Sequence, residues 1–409
     1  MTNTNEAESA LLDEVLPEQD SSISYLEVVR DDYPEPDAYV EDNAIRRFVN
    51  LVLFQSAQDN ASDIYFELND RQFKIRYKVD GELFEMAPPP RRLFEPVGEE
   101  LRCMFGLAEN KAKPRTFKQW LRRAEPGIEV VPTGDYSQDH IVDTILKSGG
   151  RDFVLNLTRL PTTTGENYHV ELLTPTPREL NPSIEELIEY KDSGLILLSS
   201  PDGNGKTTTG HQILEHLSRP NNVVVAIERK ASYPIGGVST IRTSPERTDY
   251  AETLRAVRFY QPDIVFFDDL SDEQSAKEVL HYAKNGKLAI AAVTAKSAAG
   301  SLEYLMALNK DVAGMTDDIS GLVSQRLLKV VHGECEGNGC VGCHDSGYSG
   351  RIAAYDVIGQ NGDLQKYSEA LKSGKLKDFA HSLTMSTSMR KLVEDGTTSK
   401  AEIDKQFRI

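Results

Sequence analysis

Long hydrophobic runs, disulfide-forming cysteines and tryptophan are all scarce in this sequence. No stretch reaches the ~18 consecutive apolar residues of a membrane-spanning helix, so no transmembrane segment is predicted. The N-terminus has neither a basic start nor an apolar core, which argues against a signal peptide and predicts that the chain stays in the cytoplasm. Three of the four cysteines lie between positions 335 and 343, a pattern that does not fit a secreted disulfide framework. In a reducing compartment this cluster indicates a metal site.

Basic residues are outnumbered, and the excess of acid is unevenly distributed. The net charge is -18, from 46 Lys and Arg against 64 Asp and Glu. Residues 1–42 hold 13 acidic residues against Arg30 alone, a charge of -12 that leaves -6 for the remaining chain. A surface of this sign repels phosphates, so nucleic acid is not an expected partner. Residues 1–42 are predicted to form an acidic disordered tail.

The remaining chain contains two kinds of periodicity, which together predict an α/β fold with several domains. Residues 43–175 begin with a helical spacing of apolar residues over 44–58 and continue with alternating strands, as in a small α+β domain. Residues 176–330 alternate short apolar runs with helical stretches, which favours a parallel sheet with helices on both faces. Residues 331–409 are predicted to form a third, zinc-binding and helical region. The strands predicted in the first two domains are 61–67, 73–79, 152–160, 168–173, 195–198, 223–227, 264–267 and 288–293.

One stretch combines a strand, a glycine-bearing loop and a helix. The apolar run 195–198 leads into Ser-Ser-Pro-Asp-Gly-Asn-Gly-Lys-Thr, and a helical pattern follows over 211–217. Small residues let backbone N–H groups face phosphate oxygens, and the helix N-terminus adds partial positive charge. We predict that Lys206 reaches the β- and γ-phosphates of ATP and that the Thr207 hydroxyl helps to hold Mg²⁺. The predicted nucleotide-binding residues of this loop are Ser200, Asp202, Gly203, Asn204, Gly205, Lys206, Thr207 and Thr208.

This loop departs from the phosphate-loop pattern at two positions. Ser200 stands where the first glycine belongs, and Asp202 places a carboxylate in a loop that attracts anions. The alternative interpretation is a Gly-Lys-Thr sequence that only begins a helix.

Carboxylates follow two other predicted strands. The run 264–267 ends in Asp268 and Asp269, and an acid at that place in phosphate-loop enzymes holds Mg²⁺ or orients the attacking water. The alternative role for Asp269 is to cap the helix that follows. Glu228 ends the preceding strand and is a candidate general base.

A cluster of cysteines and a histidine lies near the C-terminus. His332, Cys335, Cys340 and Cys343 have the spacing H-x2-C, four residues, C-x2-C. Three thiolates with one imidazole suit tetrahedral Zn²⁺. His344 is the rival fourth ligand, and free thiols are the alternative to a metal site. Cys103 lies in an apolar setting and is predicted to be a core residue.

Several segments resemble the secretion ATPases that drive type II secretion and type IV pilus assembly. The likeness runs from about residue 44 to the C-terminus and is thinner over 85–150. His332 falls where this family usually has its first cysteine, which favours His332 over His344. The matching segments are Ala-Ser-Asp-Ile (61–64), Ile-Arg-Tyr-Lys-Val-Asp-Gly (75–81), Leu-Pro-Thr-Thr-Thr-Gly-Glu (160–166), Leu-Arg-Ala (254–256), Pro-Asp (262–263), Gln-Arg-Leu-Leu (325–328), Gly-Tyr-Ser-Gly-Arg (347–351) and Glu-Asp-Gly-Thr-Thr (394–398).

The resemblance implies an architecture and a set of partners. Members of this family form hexameric rings whose subunits pair a PAS-like N-terminal domain with a RecA-like P-loop motor domain. Arginines of the N-terminal domain reach the nucleotide, and Arg76 matches such a position, while Lys78 stands where a second arginine is usual. Arg255 and Arg258 are further candidates. The implied partners are inner-membrane platform or secretion-machine proteins, with the chain cytoplasmic and peripheral at the inner membrane.

The sequence also departs from the family pattern at positions that bear on ATP hydrolysis. Only the first acid, Glu228, remains of the family's acidic box, and the segment 268–272 lacks its usual glutamate and arginine. Lys287 and Thr294 replace two histidines. The leading hypothesis is an ATP-hydrolysing motor subunit. The alternatives are a degenerate paralogue that binds nucleotide without efficient hydrolysis and acts as a regulatory or structural partner, and a scaffold that does not use nucleotide.

Overall fold

A computed structural model describes residues 44–68, 72–105, 141–148, 151–163, 165–173, 179–189, 191–230, 232–243, 249–309, 316–359, 362–375 and 386–407. The predicted tail, 1–42, lies outside these residues. Residues 106–140 and 149–150 of the stretch 85–150, where the family resemblance is thinner, also lie outside them. The chain divides into two compact units. The first comprises the described residues within Met1–Thr176 together with Lys230–Tyr233, and the second comprises Pro177–Arg229 and Pro234–Ile409.

The described residues of the first unit form an antiparallel sheet with two α-helices. Its strand order is β3-β2-β1-β6-β5-β4, and every neighbouring pair is antiparallel. The helix predicted over 44–58 is confirmed as α1. The elements are α1 Ala44–Gln58, β1 Asp63–Leu68, β2 Phe73–Val79, β3 Glu82–Glu85, α2 Phe94–Met104, β4 Ile141–Ser148, β5 Arg151–Thr162 and β6 Gly165–Leu173.

The first core follows from strand alternation and helix amphipathicity. In β1 the side chains of Ile64, Phe66 and Leu68 are buried while those between them are partly exposed. They pack with the buried faces of α1 and α2, where Val49 and Leu101 have no exposed surface. The β2–β3 turn uses Asp80 and Gly81, whose φ angles are 51° and 83°, which is the geometry that an Asp-Gly hairpin predicts.

The second unit is a mostly parallel sheet. Its strand order is β13-β12-β7-β11-β10-β8-β9, and only the β12–β13 pair is antiparallel. The four strands predicted here are confirmed as β7, β8, β10 and β11. The strands are β7 Gly194–Ser200, β8 Val224–Glu228, β9 Val238–Arg242, β10 Ile264–Phe267, β11 Leu288–Thr294, β12 Ile319–Val331 and β13 Tyr348–Ile358.

Helices of this unit connect the strands and continue to the C-terminus. Among the described helices of both units, none combines the length and the hydropathy that crossing a bilayer requires. The helices are α3 Pro182–Glu189, α4 Lys206–Leu217, α5 Tyr250–Tyr260, α6 Glu273–Lys284, α7 Ala298–Leu308, α8 Gly362–Lys372, α9 Ser386–Glu394 and α10 Lys400–Phe407.

The parallel sheet is buried on both faces, which explains its continuous apolar runs. Leu195 and Leu197 of β7 belong to one core cluster, whereas Ile196 and Leu198 belong to the cluster on the other face. Because side chains alternate along a strand, a run of apolar residues supplies both cores at once. The β12–β13 hairpin was not predicted. Its two strands extend the sheet on the side of β7, and the cysteine cluster lies in the turn between them.

Helix α4 packs closely on the sheet through a glycine. A Cβ atom at Gly210 would lie 2.4 Å from the ring of Phe266, a side chain with no exposed surface. Since α4 begins at Lys206, this contact also sets how near the phosphate loop lies to the strand ends.

We expect Gly210→Ala to destabilise the second unit. Alanine normally stabilises a helix by about 1 kcal/mol relative to glycine, but its Cβ would overlap the fully buried ring of Phe266, and overpacking costs roughly 1–3 kcal/mol. Denaturant unfolding should therefore show a net loss. Gly236→Ala is the control, because no atom lies within 4 Å of its added Cβ. Equal stability of the two variants would contradict the packing argument.

Candidate functional site

The carboxyl ends of four parallel strands bring Ser200 and the predicted catalytic acids, Glu228 and Asp269, to one edge of the sheet. Ser200 ends β7, Thr294 ends β11, Phe267 ends β10 and Glu228 ends β8. Ser200 and Thr294 are paired in the ladder, as are Phe267 and Ile227. Ligands of such sheets bind outside the carboxyl ends of the strands.

The predicted phosphate loop adopts a conformation that only glycine accommodates easily, and strand β12 supports it. Gly203 and Gly205 have φ angles of 70° and 82°, in the left-handed region. The Leu327 N–H donates to Asn204 Oδ1 at 3.0 Å, and the Gln325 side-chain amide donates to the Asn204 carbonyl. Asn204 thus contacts β12 through both its side chain and its backbone carbonyl.

The Lys206 ammonium lies at the centre of this loop. It donates to the Ser200 carbonyl at 3.0 Å and to Thr294 Oγ1 at 3.2 Å, and it lies 3.3 Å from Asp202 Oδ1. Burial lowers the pKa of Lys206, and the nearby Asp202 carboxylate opposes that shift. The side chain of Asp202 is 87% exposed and that of Lys206 only 11%. The loop therefore holds a largely enclosed cation whose anionic partner is in solvent.

Of the two carboxylates that follow β10, Asp269 pairs with an arginine. The Arg229 guanidinium nitrogen Nη1 lies 2.6 Å from Asp269 Oδ2 and 3.2 Å from Ser271 Oγ. Asp269 was predicted to serve Mg²⁺ or water, and in the structure a guanidinium is its neighbour. Asp272, not Asp269, caps the following helix by accepting from the Gln274 and Ser275 N–H groups, so the alternative role for Asp269 is wrong.

Asp268 is enclosed beside other acids. Burial, joined by the charges of Glu228 and Asp269, raises its pKa to about 8, although the Arg229 N–H donates to its Oδ2 at 2.9 Å. A carboxyl group with this pKa is protonated at neutral pH.

Glu228 lies inside the protein and is paired with a histidine. Its Oε1 lies 2.7 Å from Nε2 of His211, and the two side chains are 3% and 2% exposed. His211 belongs to α4, so this contact joins the phosphate-loop helix to the end of β8. The pair combines the predicted base with a residue that the sequence did not single out.

The arginines that were predicted to bind nucleotide lie on two different elements, β2 and α5. Arg76 on β2 pairs with Glu67 of β1 at 2.5 Å within the first unit. Arg255 is exposed on α5, and Arg258 on the same helix pairs with Glu278 of α6 at 2.5 Å.

The predicted metal ligands come together in the turn between β12 and β13. One ligand atom from each of His332, Cys335, Cys340 and Cys343 lies within 4.8 Å of the others. The Cys343 sulfur is 3.8 Å from those of Cys335 and Cys340, and His332 Nδ1 is 3.4 Å from the sulfurs of Cys335 and Cys340. Tetrahedral zinc with Zn–S bonds of about 2.3 Å requires S···S separations of about 3.8 Å. The four donors fit zinc, and His344 is not among the clustered ligand atoms.

Backbone amides also favour a thiolate at this cluster. Burial alone would raise the pKa of Cys343, but hydrogen bonds from the Cys340 and Gly347 N–H groups lower it to about 6. Thiolates are the form that binds metals.

Several residues of this edge were missed by sequence reasoning. Thr294 was noted only as a departure from a family pattern, Arg229 was not singled out, and His211, Gln325 and Leu327 carry no local signal for their contacts. One signal was available for Arg229: two basic residues, Arg229 and Lys230, directly follow Glu228 at the carboxyl end of a predicted strand.

We expect Cys340→Ser to abolish stable zinc binding. Loss of one thiolate should lower zinc affinity by ~100-fold or more, since even changes outside the ligand shell cost 10–100-fold. Metal analysis after dialysis and competition with a chelator would measure this. Cys103→Ser and His344→Ala are controls that should keep the zinc of the wild type. Full zinc retention by Cys340→Ser would contradict the four-ligand assignment.

The raised pKa of Asp268 predicts a pH dependence of stability. The folded chain keeps this proton up to about pH 8, whereas an unfolded aspartate releases it near pH ~4. Stability should therefore fall as the pH rises between these values, by up to about 1.4 kcal/mol per pH unit for one proton. Asp268→Asn should flatten urea-unfolding stability between about pH 6 and 7.5 relative to the wild type.

Asp263→Asn is the matched control for this titration. Hydrogen bonds from Lys287 and the Val223 N–H lower the pKa of Asp263, so it should contribute no slope in that range. An identical slope for the wild type and Asp268→Asn would exclude the assignment.

Comparison with known proteins identifies the family of this chain. The type II secretion system protein HxcR of Pseudomonas aeruginosa is 26% identical over 389 residues, covering 91% of this chain and 78% of that protein. The type IV pilus assembly ATPase PilB of Myxococcus xanthus is 22% identical over 429 residues, covering 94% and 70%.

A solved structure agrees in fold. The crystal structure of the pilus retraction motor PilT with bound ADP has a TM-score of 0.57 at 18% identity, and covers 88% of this chain and 96% of that chain. The model of the family "Type II/IV secretion system protein" matches residues 38–113 and 139–405. Since that match spans most of the sequence, the chain belongs to the type II/IV secretion system protein family.

Proposed function

We propose that this chain is an ATP-binding motor subunit of a type II secretion or type IV pilus assembly machine. The observation that carries the proposal is the strand–loop–helix of residues 194–217, in which the enclosed Lys206 ammonium lies beside the exposed Asp202 carboxylate. A phosphate chain carries more negative charge than one carboxylate and offers more oxygen acceptors, so it would replace Asp202 on Lys206. The relatives named as a secretion protein and a pilus ATPase support the same assignment.

In this proposal the loop binds phosphates through its backbone and Lys206. The Thr207 and Thr208 hydroxyl groups lie at the start of α4, where the helix N-terminus favours anions. If Mg²⁺ binds, Thr207 and Asp269 would hold it and it would neutralise phosphate charge. Glu228 would act on the attacking water after leaving its contact with His211. Arg76 and Arg255 are also proposed as nucleotide ligands.

The remaining assignments extend the proposal to the whole chain. The second unit serves as a RecA-like motor domain and the first as a PAS-like N-terminal domain, with zinc stabilising the β12–β13 turn. The subunits assemble into a hexameric ring in the cytoplasm, peripheral at the inner membrane, and act on inner-membrane platform or other secretion-machine proteins. The family match supports these assignments.

A second candidate function is nucleotide binding without efficient hydrolysis. The observation that favours it is that both predicted catalytic acids have partners in the chain, Glu228 with His211 at 2.7 Å and Asp269 with Arg229 at 2.6 Å. A carboxylate that is held in a hydrogen bond or an ion pair is less available as a base or as a metal ligand. The chain would then regulate or complete a ring whose other subunits hydrolyse ATP.

We expect Lys206→Ala to weaken ATP binding by ~10-fold or more, because a charge-assisted hydrogen bond to phosphate is lost. Titration calorimetry would measure binding, and phosphate release would measure turnover. Lys277→Ala is the control, since it removes an exposed lysine of α6 that pairs with Glu273.

The outcome separates the candidate functions. Turnover that disappears in Lys206→Ala identifies a motor, and binding without turnover identifies the regulatory partner. Absence of ATP binding in the wild type would overturn both.

A further inference from the structure

Two aromatic side chains of the second unit are exposed at the amino ends of its parallel strands. Phe259 and Tyr260, the last two residues of α5, are 76% and 60% exposed. Val223, which is 41% exposed, donates its N–H to Asp263 Oδ2 at 3.0 Å, three residues after α5. Val223 directly precedes β8 and Asp263 directly precedes β10. This end of the sheet is therefore opposite to the one that carries the predicted phosphate loop. We call Val223, Phe259 and Tyr260 the amino-end patch.

Two exposed cations lie beside this patch. Arg255 precedes Phe259 by four residues, which places both side chains on the same face of α5. Lys284 ends α6, and the buried face of α6 packs in the same core cluster as that of α5. Within the described part of the chain, no carboxylate forms an ion pair with Arg255 or with Lys284. Their charges are therefore available to a ligand of the patch.

The acidic residues nearby do not cancel this charge. Asp263 pairs with Lys287 at 2.8 Å, and Glu278 pairs with Arg258 at 2.5 Å. Glu252 is exposed on α5, but it lies two helical turns before the patch, toward the other end of the helix. The surface around the patch thus has an excess of positive charge, in a chain whose net charge is -18. Exposed apolar residues that are bordered by charge are typical of a binding surface.

The acidic tail contains a segment of complementary composition. Residues 6–20, which lie outside the described part of the chain, contain six Asp and Glu and no Lys or Arg. The apolar residues of this segment recur four positions apart, as Leu11 with Val15 and Leu12 with Leu16, a spacing that brings side chains to one face of a helix. Segments of this kind bind by placing their apolar face on an apolar surface. Their carboxylates then lie near the cations that border that surface.

The chain between this segment and the first described helix is long. The segment ends at Asp20 and α1 begins at Ala44, and residues in between can span up to ~80 Å when they are extended. A tether of this length also raises the effective concentration of the segment at a surface of the same molecule. A contact of modest intrinsic affinity is therefore sufficient to keep the segment bound.

We propose that the amino-end patch is the docking surface for residues 6–20 of the same chain. The leucines of the segment cover Phe259 and Tyr260, and its carboxylates lie beside Arg255 and Lys284. The docked segment is at the end of the sheet away from the proposed nucleotide site. The inference does not depend on ATP binding.

The test is hydrogen exchange of the full chain, read by mass spectrometry in the peptides that contain residues 6–20. Amides of a docked segment are protected in proportion to the time that it is bound. Phe259→Ser should raise the exchange rate of this segment by ~5-fold or more, because the largest apolar contact is lost. Arg255→Glu should raise it as well, and so should high salt, which screens exposed charges.

Leu83→Ser is the matched control, because it removes another exposed apolar side chain, 46% exposed, from β3 of the first unit. Its tail should exchange as in the wild type. Thermal unfolding of each variant would exclude a folding defect. Equal exchange of residues 6–20 in the wild type, Phe259→Ser and Arg255→Glu would overturn the docking surface. Protection that increases with protein concentration would overturn docking within one chain and assign the patch to the tail of a second copy.

Discussion

Burial of the parallel sheet on both faces is the constraint on which the rest of the second unit depends. Strand β7 supplies one core with Leu195 and Leu197 and the other with Ile196 and Leu198. With both faces covered, charged groups gather at the strand ends and in the loops after them. The functional edge is therefore a consequence of how the sheet is packed, and the contact of Gly210 with Phe266 brings α4 close to it.

At that edge the described charged side chains lie next to groups of opposite charge, and this pairing affects both ligand binding and water activation. Lys206 and Arg229 are each beside a carboxylate, and the acid between the strands, Asp268, keeps its proton. In the proposed function a polyanion enters here, because its phosphates would replace Asp202 on Lys206. The arrangement is less favourable for activating water, because the predicted base, Glu228, is paired with His211.

The β12–β13 hairpin links the cysteine cluster to the phosphate loop. Gln325 and Leu327 of β12 contact Asn204, and Arg351 of β13 donates to the Gly203 carbonyl at 3.4 Å. The turn between the strands carries the four candidate zinc ligands. A metal that fixes this turn therefore stabilises the hairpin that supports the loop, although no zinc ligand lies in the loop itself.

The sequence by itself determined the parts that depend on local pattern: the strand–loop–helix at 194–217, the strands around it, the helix 44–58 and a cysteine cluster at Cys335, Cys340 and Cys343, with His332 and His344 as alternatives for a fourth metal ligand. Their signals are periodicity, glycine placement and short spacing, which neighbouring residues specify. Only the tertiary structure decided that Arg229 pairs with Asp269, that His211 pairs with Glu228 and that β12 supports the loop. These contacts join residues 17 to 123 positions apart, and which distant side chains meet is set by the strand order of the sheet, which no local pattern contains.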